Sequence, residues 1–266
     1  MIVAQISDLH IRRAGHVLHY MANTADYLER TIDRINGLKT QPHLVLLTGD
    51  LVENASPHEY RRLRTILKAL RAPHFLVPGN HDDRANLRRA FSEHRYLRTF
   101  RDHASYAIDA WPLRILALDS TDPDHVGGFV DDERLAWLDE ELRAHRSRPT
   151  IVAMHHPPFR TGIGTFDSHG FERVEELEAV IAAHPQVVRV ISGHIHTALT
   201  KRWGGTTACS APSTSPQFVI GRSPLGIGIE AAGFLMHEWR FATEFRTYVM
   251  RIKETDDFSS VSIFAS

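Results

Sequence analysis

The chain of 266 residues is 42% hydrophobic and 24% charged, with a net charge of −1, and it is long enough to bury a sizeable core. This near-neutral balance excludes a global basic field, so we expect neither a nucleic-acid polymer nor a membrane as partner. One cysteine, no signal-peptide pattern and no membrane-length apolar run predict a cytoplasmic protein.

The first hundred residues alternate short apolar runs with helical periodicity. The pattern predicts strands over residues 2–7, 43–48 and 75–77, and helices over 24–38, 56–71 and 83–96. Ser56, Pro57 and Glu59 form a capping-box signature at the start of the second helix. Three strand–helix units in succession are typical of a parallel sheet.

The middle of the chain continues this alternation, and the last quarter loses it. We expect an antiparallel pair over 106–108 and 113–118, helices over 131–146 and 171–183, and strands over 150–154 and 187–191. After residue 198 short alternating stretches predict strands over 199–203, 206–209, 234–240 and 245–252. Residues 210–228 are rich in Pro, Ser and Gly, which indicates a long functional loop.

These elements predict a mixed α/β fold in a single domain, residues 1–266. Its two-sheet β-sandwich would be flanked by helices on both faces and would end in a C-terminal β-hairpin region. Residues of about 230–255 are a candidate dimerisation hairpin because an exposed strand edge invites pairing, so we expect a homodimer or higher homo-oligomer. Ligands of such sheets bind at the carboxyl ends of the parallel strands.

Polar side chains with metal-ligand chemistry follow five of the predicted strands. Asp8 and His10 are two residues apart, as are His194 and His196, and in extended backbone such pairs share one face. Gly193 permits a close backbone approach. The plainer interpretation of an isolated pair of this kind is a polar strand end.

Two further clusters combine glycine with oxygen donors. Asp50 follows Gly49, and its two carboxylate oxygens could bridge two ions, although a turn aspartate is the alternative. In Gly79-Asn80-His81-Asp82 the Asn80 carbonyl could bind a hard ion, and His81 would then face the substrate. A polar turn with a helix cap is the alternative there. Asp82 or Asp83 could orient His81.

The doublet of His155 and His156 stays open at this level, because neighbouring side chains on a strand point to opposite faces. Together the five clusters predict a cage for two divalent ions, with Mn²⁺, Fe²⁺, Zn²⁺ and Co²⁺ all compatible with nitrogen and oxygen ligands. We interpret four other histidines as surface or rim residues: His16, His19, His169 and His237.

The motifs D-x-H, G-D, G-N-H-[DE], a strand-end H and G-H-x-H occur in this order within about residues 1–200. In this respect the chain resembles the calcineurin-like metallophosphoesterase superfamily, and within it the bacterial cyclic-nucleotide and glycerophosphodiester phosphodiesterases. The glycerophosphodiesterase type has a further histidine in the loop after G-H-x-H. Here the matching stretch, Ser215-Pro216-Gln217, has none.

The resemblance implies an assignment of the ligands. One ion would be held by Asp8, His10 and His196, and the other by Asn80, His155 and His194. Asp50 would bridge the two ions, and His156 would lie behind the centre or in the core. The resemblance also implies that His81 contacts the phosphate, beside Asn80, with Arg12 as a further candidate for substrate binding.

We therefore predict a binuclear-metal phosphodiesterase acting on small phosphodiesters such as 3',5'-cyclic AMP or glycerophosphodiesters. A hydroxide bridging the metals would attack phosphorus in line, with Asp50 and His81 as catalytic residues. The alternatives are a phosphomonoesterase or nucleotide pyrophosphatase on the same site, and a binding module that has lost catalysis. A binding module should lack some of the ligands, and this sequence retains all of them.

Overall fold

The structure, a computed structural model, describes residues 1–16, 23–215, 217–220, 227–240, 244–252 and 260–265. Its helices are α1 (Thr24–Asn36), α2 (Pro57–Leu67), α3 (Arg84–Ala90), α4 (Asp132–Ala144), α5 (Gly164–His169) and α6 (Val174–Ala182), with a 3₁₀ helix over Arg95–Arg98. The strands of the first half are β1 (Ile2–Ile6), β2 (Leu44–Thr48), β3 (His74–Val77), β4 (Tyr106–Ile108), β5 (Arg114–Ala117) and β6 (Gly128–Phe129). The strands of the second half are β7 (Thr150–Ala153), β8 (Phe171–Glu172), β9 (Val187–Ser192), β10 (Leu199–Trp203), β11 (Thr206–Ser210), β12 (Gln217–Ile220), β13 (Ile227–Glu230), β14 (Gly233–Arg240), β15 (Glu244–Arg251) and β16 (Ser260–Ala265).

Two large sheets form a sandwich. The first has the order β16-β15-β14-β1-β2-β3, and the second has the order β10-β11-β9-β7-β5-β4. β1, β2 and β3 run parallel, as do β5, β7 and β9, so the carboxyl ends of each set lie on one edge. The predicted two-sheet α/β sandwich is confirmed.

The two faces of the second sheet pack into two different apolar cores. Ile115 and Ile151 belong to the core shared with the first sheet and with α1 and α2. Leu116 and Val152, one position along, pack instead with residues of α4 and α6. Because both faces of β5 and β7 are covered, residues 115–117 and 151–153 are continuous apolar runs. The sheet therefore has helices on one side and the partner sheet on the other.

Most predicted helices are confirmed, with differences at their ends. The capping box forms as predicted, since Ser56 accepts from the backbone N–H of Glu59 while the Glu59 side chain accepts from that of Ser56. The predicted helix over 171–183 is wrong at its start, because residues 171–172 pair with β6 and Arg173 has a left-handed backbone, φ 62°. The predicted helix over 83–96 ends early, at Ala90. α5 was not predicted.

The described strand pairs of the C-terminal quarter are antiparallel, as predicted, except that β11 also pairs parallel with β9. The expected long loop over 210–228 is wrong in part, because β12 and β13 pair antiparallel there. Residues 216 and 221–226 lie outside the described residues. In the candidate dimerisation hairpin β14 and β15 pair antiparallel, while residues 241–243 and 253–255 fall outside the description. Among the helices described, we find none with the length and apolar character to cross a bilayer.

Candidate metal centre

The carboxyl ends of β1, β2, β3, β7 and β9 meet at one edge of the sandwich. Each strand delivers its polar cluster there, and the structure brings all seven predicted ligand residues together: Asp8, His10, Asp50, Asn80, His155, His194 and His196. Their side chains are almost completely buried, with only Asn80 and His196 partly exposed. The site thus forms where the parallel strands end, as expected for open α/β sheets.

The backbone is strained at this edge. Left-handed φ angles occur at five of the seven residues, namely Asp8 (54°), His10 (43°), Asp50 (48°), His194 (70°) and His196 (56°). Such conformations are uncommon for residues other than glycine and cluster at functional sites. Gly79 has a different role, since a Cβ there would lie 2.2 Å from the Asp50 nitrogen. Its missing side chain lets the β3 exit approach Asp50.

Asp8, His10, Asp50 and His196 form the first half of the centre. One donor atom from each lies within 4.8 Å of the others. His10 Nε2 lies 3.2 Å from His196 Nε2 and 3.6 Å from Asp50 Oδ2. His196 Nε2 lies 3.6 Å from Asp8 Oδ1, which also accepts the backbone N–H of His194.

The second half of the centre lies on the other side of Asp50. His155 Nε2 is 3.1 Å from Asn80 Oδ1 and 3.3 Å from Asp50 Oδ1. The His194 ring stands edge-on to the His155 ring, with centroids 5.1 Å apart. The two Asp50 oxygens therefore face different histidines, one in each half.

This donor set fits divalent cations. His155 Nδ1 must donate to the Thr48 carbonyl, 2.8 Å away, so in the neutral ring the Nε2 lone pair faces two oxygens. Protonation of His155 Nε2 relieves the repulsion between its lone pair and the oxygens of Asn80 and Asp50, and a bound cation would relieve it as well. Among the described residues, Asp8 Oδ2 is a buried carboxylate oxygen with no hydrogen-bond partner. Buried polar atoms of this kind are normally paired, so a ligand cation accounts for both features.

The pKa values reflect the same crowding of charge. Burial, with the nearby charge of Asp50, raises the pKa of Asp8 to about 6. Burial opposes charge on Asp50 too, but His155 and His10 hold the pKa of Asp50 well below its ordinary value. Burial lowers the pKa of His155, yet the Asp50 carboxylate outweighs it and raises that pKa to about 9.

Two acceptors that the sequence analysis missed orient the histidines. Glu53 Oε2 accepts from His10 Nδ1 at 2.7 Å, and the Thr48 carbonyl accepts from His155 Nδ1. Each interaction fixes the ring tautomer and leaves Nε2 for a metal ion. Glu53 follows Asp50 by three residues and so lies beside the same strand exit, but no sequence pattern distinguishes it.

His81 lies at the open side of the centre, with 38% of its side chain exposed. Its ring centroid is 4.8 Å from that of His10, and its backbone N–H donates to Asp50 Oδ1. The suggestion that Asp82 or Asp83 orients it is wrong. His81 Nδ1 instead donates to the Glu53 carbonyl at 2.9 Å.

Asp82 and Asp83 stabilise the turn before α3. Asp82 accepts the backbone N–H groups of Leu51 and Gly79 and the hydroxyl of Tyr60, while Asp83 caps α3. Both carboxylates are therefore used to hold the chain that carries Asn80 and His81.

The structure distinguishes the members of the histidine doublet. His156 uses both ring nitrogens within the protein, because Nε2 donates to the Val126 carbonyl at 3.0 Å and Nδ1 bonds the Ser120 hydroxyl at 2.9 Å. Burial lowers the pKa of His156 to about 3, so the ring is neutral. Although His156 lies near His155 and His194, it has no nitrogen left for a metal ion.

The remaining candidates lie around the centre or away from it. The pKa of Glu53 is lowered overall. Burial raises it, but His10, then His81 and finally the charge of Arg12 lower it. His16 and His169 are exposed as predicted, and His19 lies outside the described residues. His237 was predicted at the surface, but it is 1% exposed and bonded within the first sheet.

Comparison with known proteins places these features in a family. The model of calcineurin-like phosphoesterases matches residues 1–198. The probable glycerophosphodiester phosphodiesterase GpdQ of Arcobacter nitrofigilis is 33% identical over 221 residues, covering 83% of this chain and 81% of that protein. The 3',5'-cyclic adenosine monophosphate phosphodiesterase CpdA of Pseudomonas aeruginosa is 29% identical over 234 residues, covering 88% and 84%.

Among solved structures, a dimetal phosphatase from Danio rerio superposes with a TM-score of 0.72 over 94% of this chain and 96% of that one. Its sequence identity of 14% makes this a likeness of fold alone. Since the family model spans about three quarters of the chain, and its motif residues meet at one edge of the sandwich, the chain belongs to the calcineurin-like phosphoesterase family.

Proposed function

We propose that this protein is a two-metal phosphodiesterase with substrates among small phosphodiesters. Asp8, His10 and His196 would hold one divalent ion, and Asn80, His155 and His194 the other. Asp50 would bridge them. Nitrogen and oxygen ligands of this kind suit Mn²⁺, Fe²⁺, Zn²⁺ or Co²⁺.

One observation carries the proposal: the Asp50 oxygens are divided between two sets of nitrogen donors. Oδ2 is 3.6 Å from His10 Nε2, and Oδ1 is 3.3 Å from His155 Nε2. A site for one ion would need a single set of converging donors. A carboxylate with a different set on each side is the arrangement that a shared ligand requires.

The bound ions would supply positive charge that clamps phosphate oxygens and makes water more acidic. The protein supplies the rest. Glu53 and Thr48 hold His10 and His155 in the required tautomers. The backbone N–H of His81 holds Asp50 in place, and the exposed His81 ring, fixed through Nδ1, keeps Nε2 for the substrate.

His81 is the proposed general acid. Its Nδ1–H is occupied by the Glu53 carbonyl, so only Nε2 is left to donate to a leaving alkoxide or to a phosphoryl oxygen. The Glu53 carboxylate lies 3.8 Å from Nδ1 of the same ring. Asn80 precedes His81 on the same turn, and Arg12 is a further candidate contact for the phosphate.

Two substrate classes follow from the relatives. The names of those relatives specify glycerophosphodiesters in one case and 3',5'-cyclic AMP in the other. We propose that this protein hydrolyses one or both classes. We also propose a cytoplasmic protein with one domain and a homo-oligomeric state. Because β14 pairs with β1 and β15, and β15 with β14 and β16, the contact would not be a free edge of the β14–β15 hairpin. Size-exclusion chromatography with light scattering would test the oligomeric state, and a monomeric mass would overturn it.

The function is tested by hydrolysis of four substrates by protein whose metal content is measured in the same sample. The panel is 3',5'-cyclic AMP, glycerophosphoethanolamine, glycerol 3-phosphate and ADP. We expect about two metal ions per chain. We also expect at least one of the two diesters to be hydrolysed faster than glycerol 3-phosphate and ADP. Preference for glycerol 3-phosphate would indicate a phosphomonoesterase, and preference for ADP a pyrophosphatase.

A further inference from the structure

A cavity of about 250 Å³ opens beside the metal centre. It is bounded by the chain that follows β7, by α5 and by the start of α6, and it shares His156 and His194 with the centre. This volume is below the roughly 300–1,000 Å³ of pockets that enclose a whole drug-sized ligand. It therefore suits one end of a molecule whose other end lies at the metal centre.

Three phenylalanines line the cavity: Phe159, Phe166 and Phe171. Phe159 and Phe171 pack partly against the core of the α4–α6 side. Phe166 instead contacts the metal-centre histidines, with its ring centroid 5.1 Å from that of His194 and 6.2 Å from that of His196. The Phe166 ring thus lies where the cavity joins the centre.

The partly buried polar groups of the wall are used within the protein. Asp167 Oδ1 accepts the N–H and hydroxyl of Thr161, and its Oδ2 accepts the N–H of Gly162. Both ring nitrogens of His156 are occupied as well. The charged residues Arg160 and Glu175 are exposed. The cavity therefore combines aromatic side chains with polar groups that are either engaged within the protein or exposed.

We propose that this cavity binds the nucleobase of a cyclic nucleotide, and that Phe166 stacks on it. The inference rests on the proposed phosphodiesterase function and narrows its substrate class. Stacking on an aromatic side chain tolerates any base, because each base has a π-face. A glycerol group, in contrast, has no π-face with which to stack on Phe166.

Two variants test the cavity from opposite directions. Phe166→Ala removes the proposed stacking surface, and Val174→Phe fills the cavity from the first residue of α6. Thr165→Ala, at an exposed position of α5, is the matched control. For each protein kcat/KM is measured with 3',5'-cyclic AMP and with glycerophosphoethanolamine. Metal content and the binding of adenosine, which carries no phosphate, are measured on the same samples.

We expect the ratio of the two kcat/KM values to shift against cyclic AMP by about tenfold in both variants, with adenosine binding weakened in parallel. The control should keep the wild-type ratio. An unchanged ratio and unchanged adenosine binding in metal-loaded variants would overturn the nucleobase assignment while leaving the phosphodiesterase proposal intact. Wild-type turnover of glycerophosphoethanolamine alone would have the same consequence. If metal-loaded wild type hydrolysed neither diester, both proposals would fail together.

Discussion

Two buried polar clusters lie in this sandwich, and their atoms are satisfied in different ways. Between the sheets, the Gln5 amide donates to the Thr48 hydroxyl and to the Ser192 carbonyl, both at 2.8 Å. Its oxygen accepts from His237 Nε2, and Thr247 bonds His237 Nδ1. The two amide donors of Gln5 and the ring N–H of His237 therefore all meet an acceptor.

At the candidate metal centre, potential ligand atoms converge. His155 Nε2 points at two oxygens, and the Nε2 atoms of His10 and His196 approach to 3.2 Å. The backbone there is left-handed at several ligands, whereas Gln5 lies within the regular strand β1. Burial alone therefore does not mark a site. A network that pairs its groups contributes stability, whereas a cluster of converging ligand atoms could hold a cation.

The largest effect should come from removing the shared carboxylate. We expect Asp50→Ala to lower kcat/KM on a phosphodiester by about 10³-fold or more and to release metal, because both halves of the centre lose a ligand. Metal analysis and diester hydrolysis measure this. Asp33→Asn, at an exposed position of α1, is the control. Wild-type turnover by Asp50→Ala in metal-depleted buffer would rule out the shared-ligand role.

The open side of the centre should respond differently. We expect His81→Ala to lower kcat by about 10²-fold with metal content near that of the wild type, because His81 would act on the substrate. Steady-state kinetics and metal analysis of one preparation test this. His58→Ala, at an exposed position of α2, is the control. Loss of metal from the His81 variant would make it a ligand instead.

The carboxylate behind the centre should have a smaller effect. We expect Glu53→Gln to weaken metal affinity by about 10- to 100-fold, since the His10 ring would lose its charged acceptor. Isothermal titration with Mn²⁺ measures it, with Glu29→Gln, at an exposed position of α1, as the control. An affinity equal to that of the wild type would show that His10 needs no partner.

We expect the smallest effect from the interior network around Gln5 and His237, where it is a loss of unfolding free energy at acid pH. Burial lowers the pKa of His237 to about 3, against an ordinary 6.5. The unfolded chain therefore takes up this proton first, so stability is full above pH 6.5 and declines as the pH falls toward 3. Between pH 7.5 and 5.5 His237 should account for about 1 kcal/mol of lost unfolding free energy.

Urea unfolding of His237→Gln at the two pH values measures this contribution. The variant keeps a hydrogen-bond donor and an acceptor. Its loss of unfolding free energy between pH 7.5 and 5.5 should therefore be smaller than that of the wild type by the contribution of His237. His16→Gln, at an exposed position, should behave as the wild type. An identical acid loss in His237→Gln would show that His237 is not kept neutral by the fold.

The sequence could predict the centre because each ligand follows an apolar run, and parallel strands end on one edge. It could not predict the network, because His237 meets Gln5 only through the pairing of β14 with β1, 232 positions apart. Glu53 was missed because one glutamate before a helix has no distinguishing pattern. α5 was missed because glycines at 162 and 164 interrupt the periodicity.

Anomalous diffraction from crystals grown with Mn²⁺ would show whether the seven side chains jointly hold two cations. We predict two peaks about 3.5–4 Å apart, with Asp50 between them and with Asp8, His10 and His196 around one and Asn80, His155 and His194 around the other. A single peak, or peaks away from Asp50, would contradict the account.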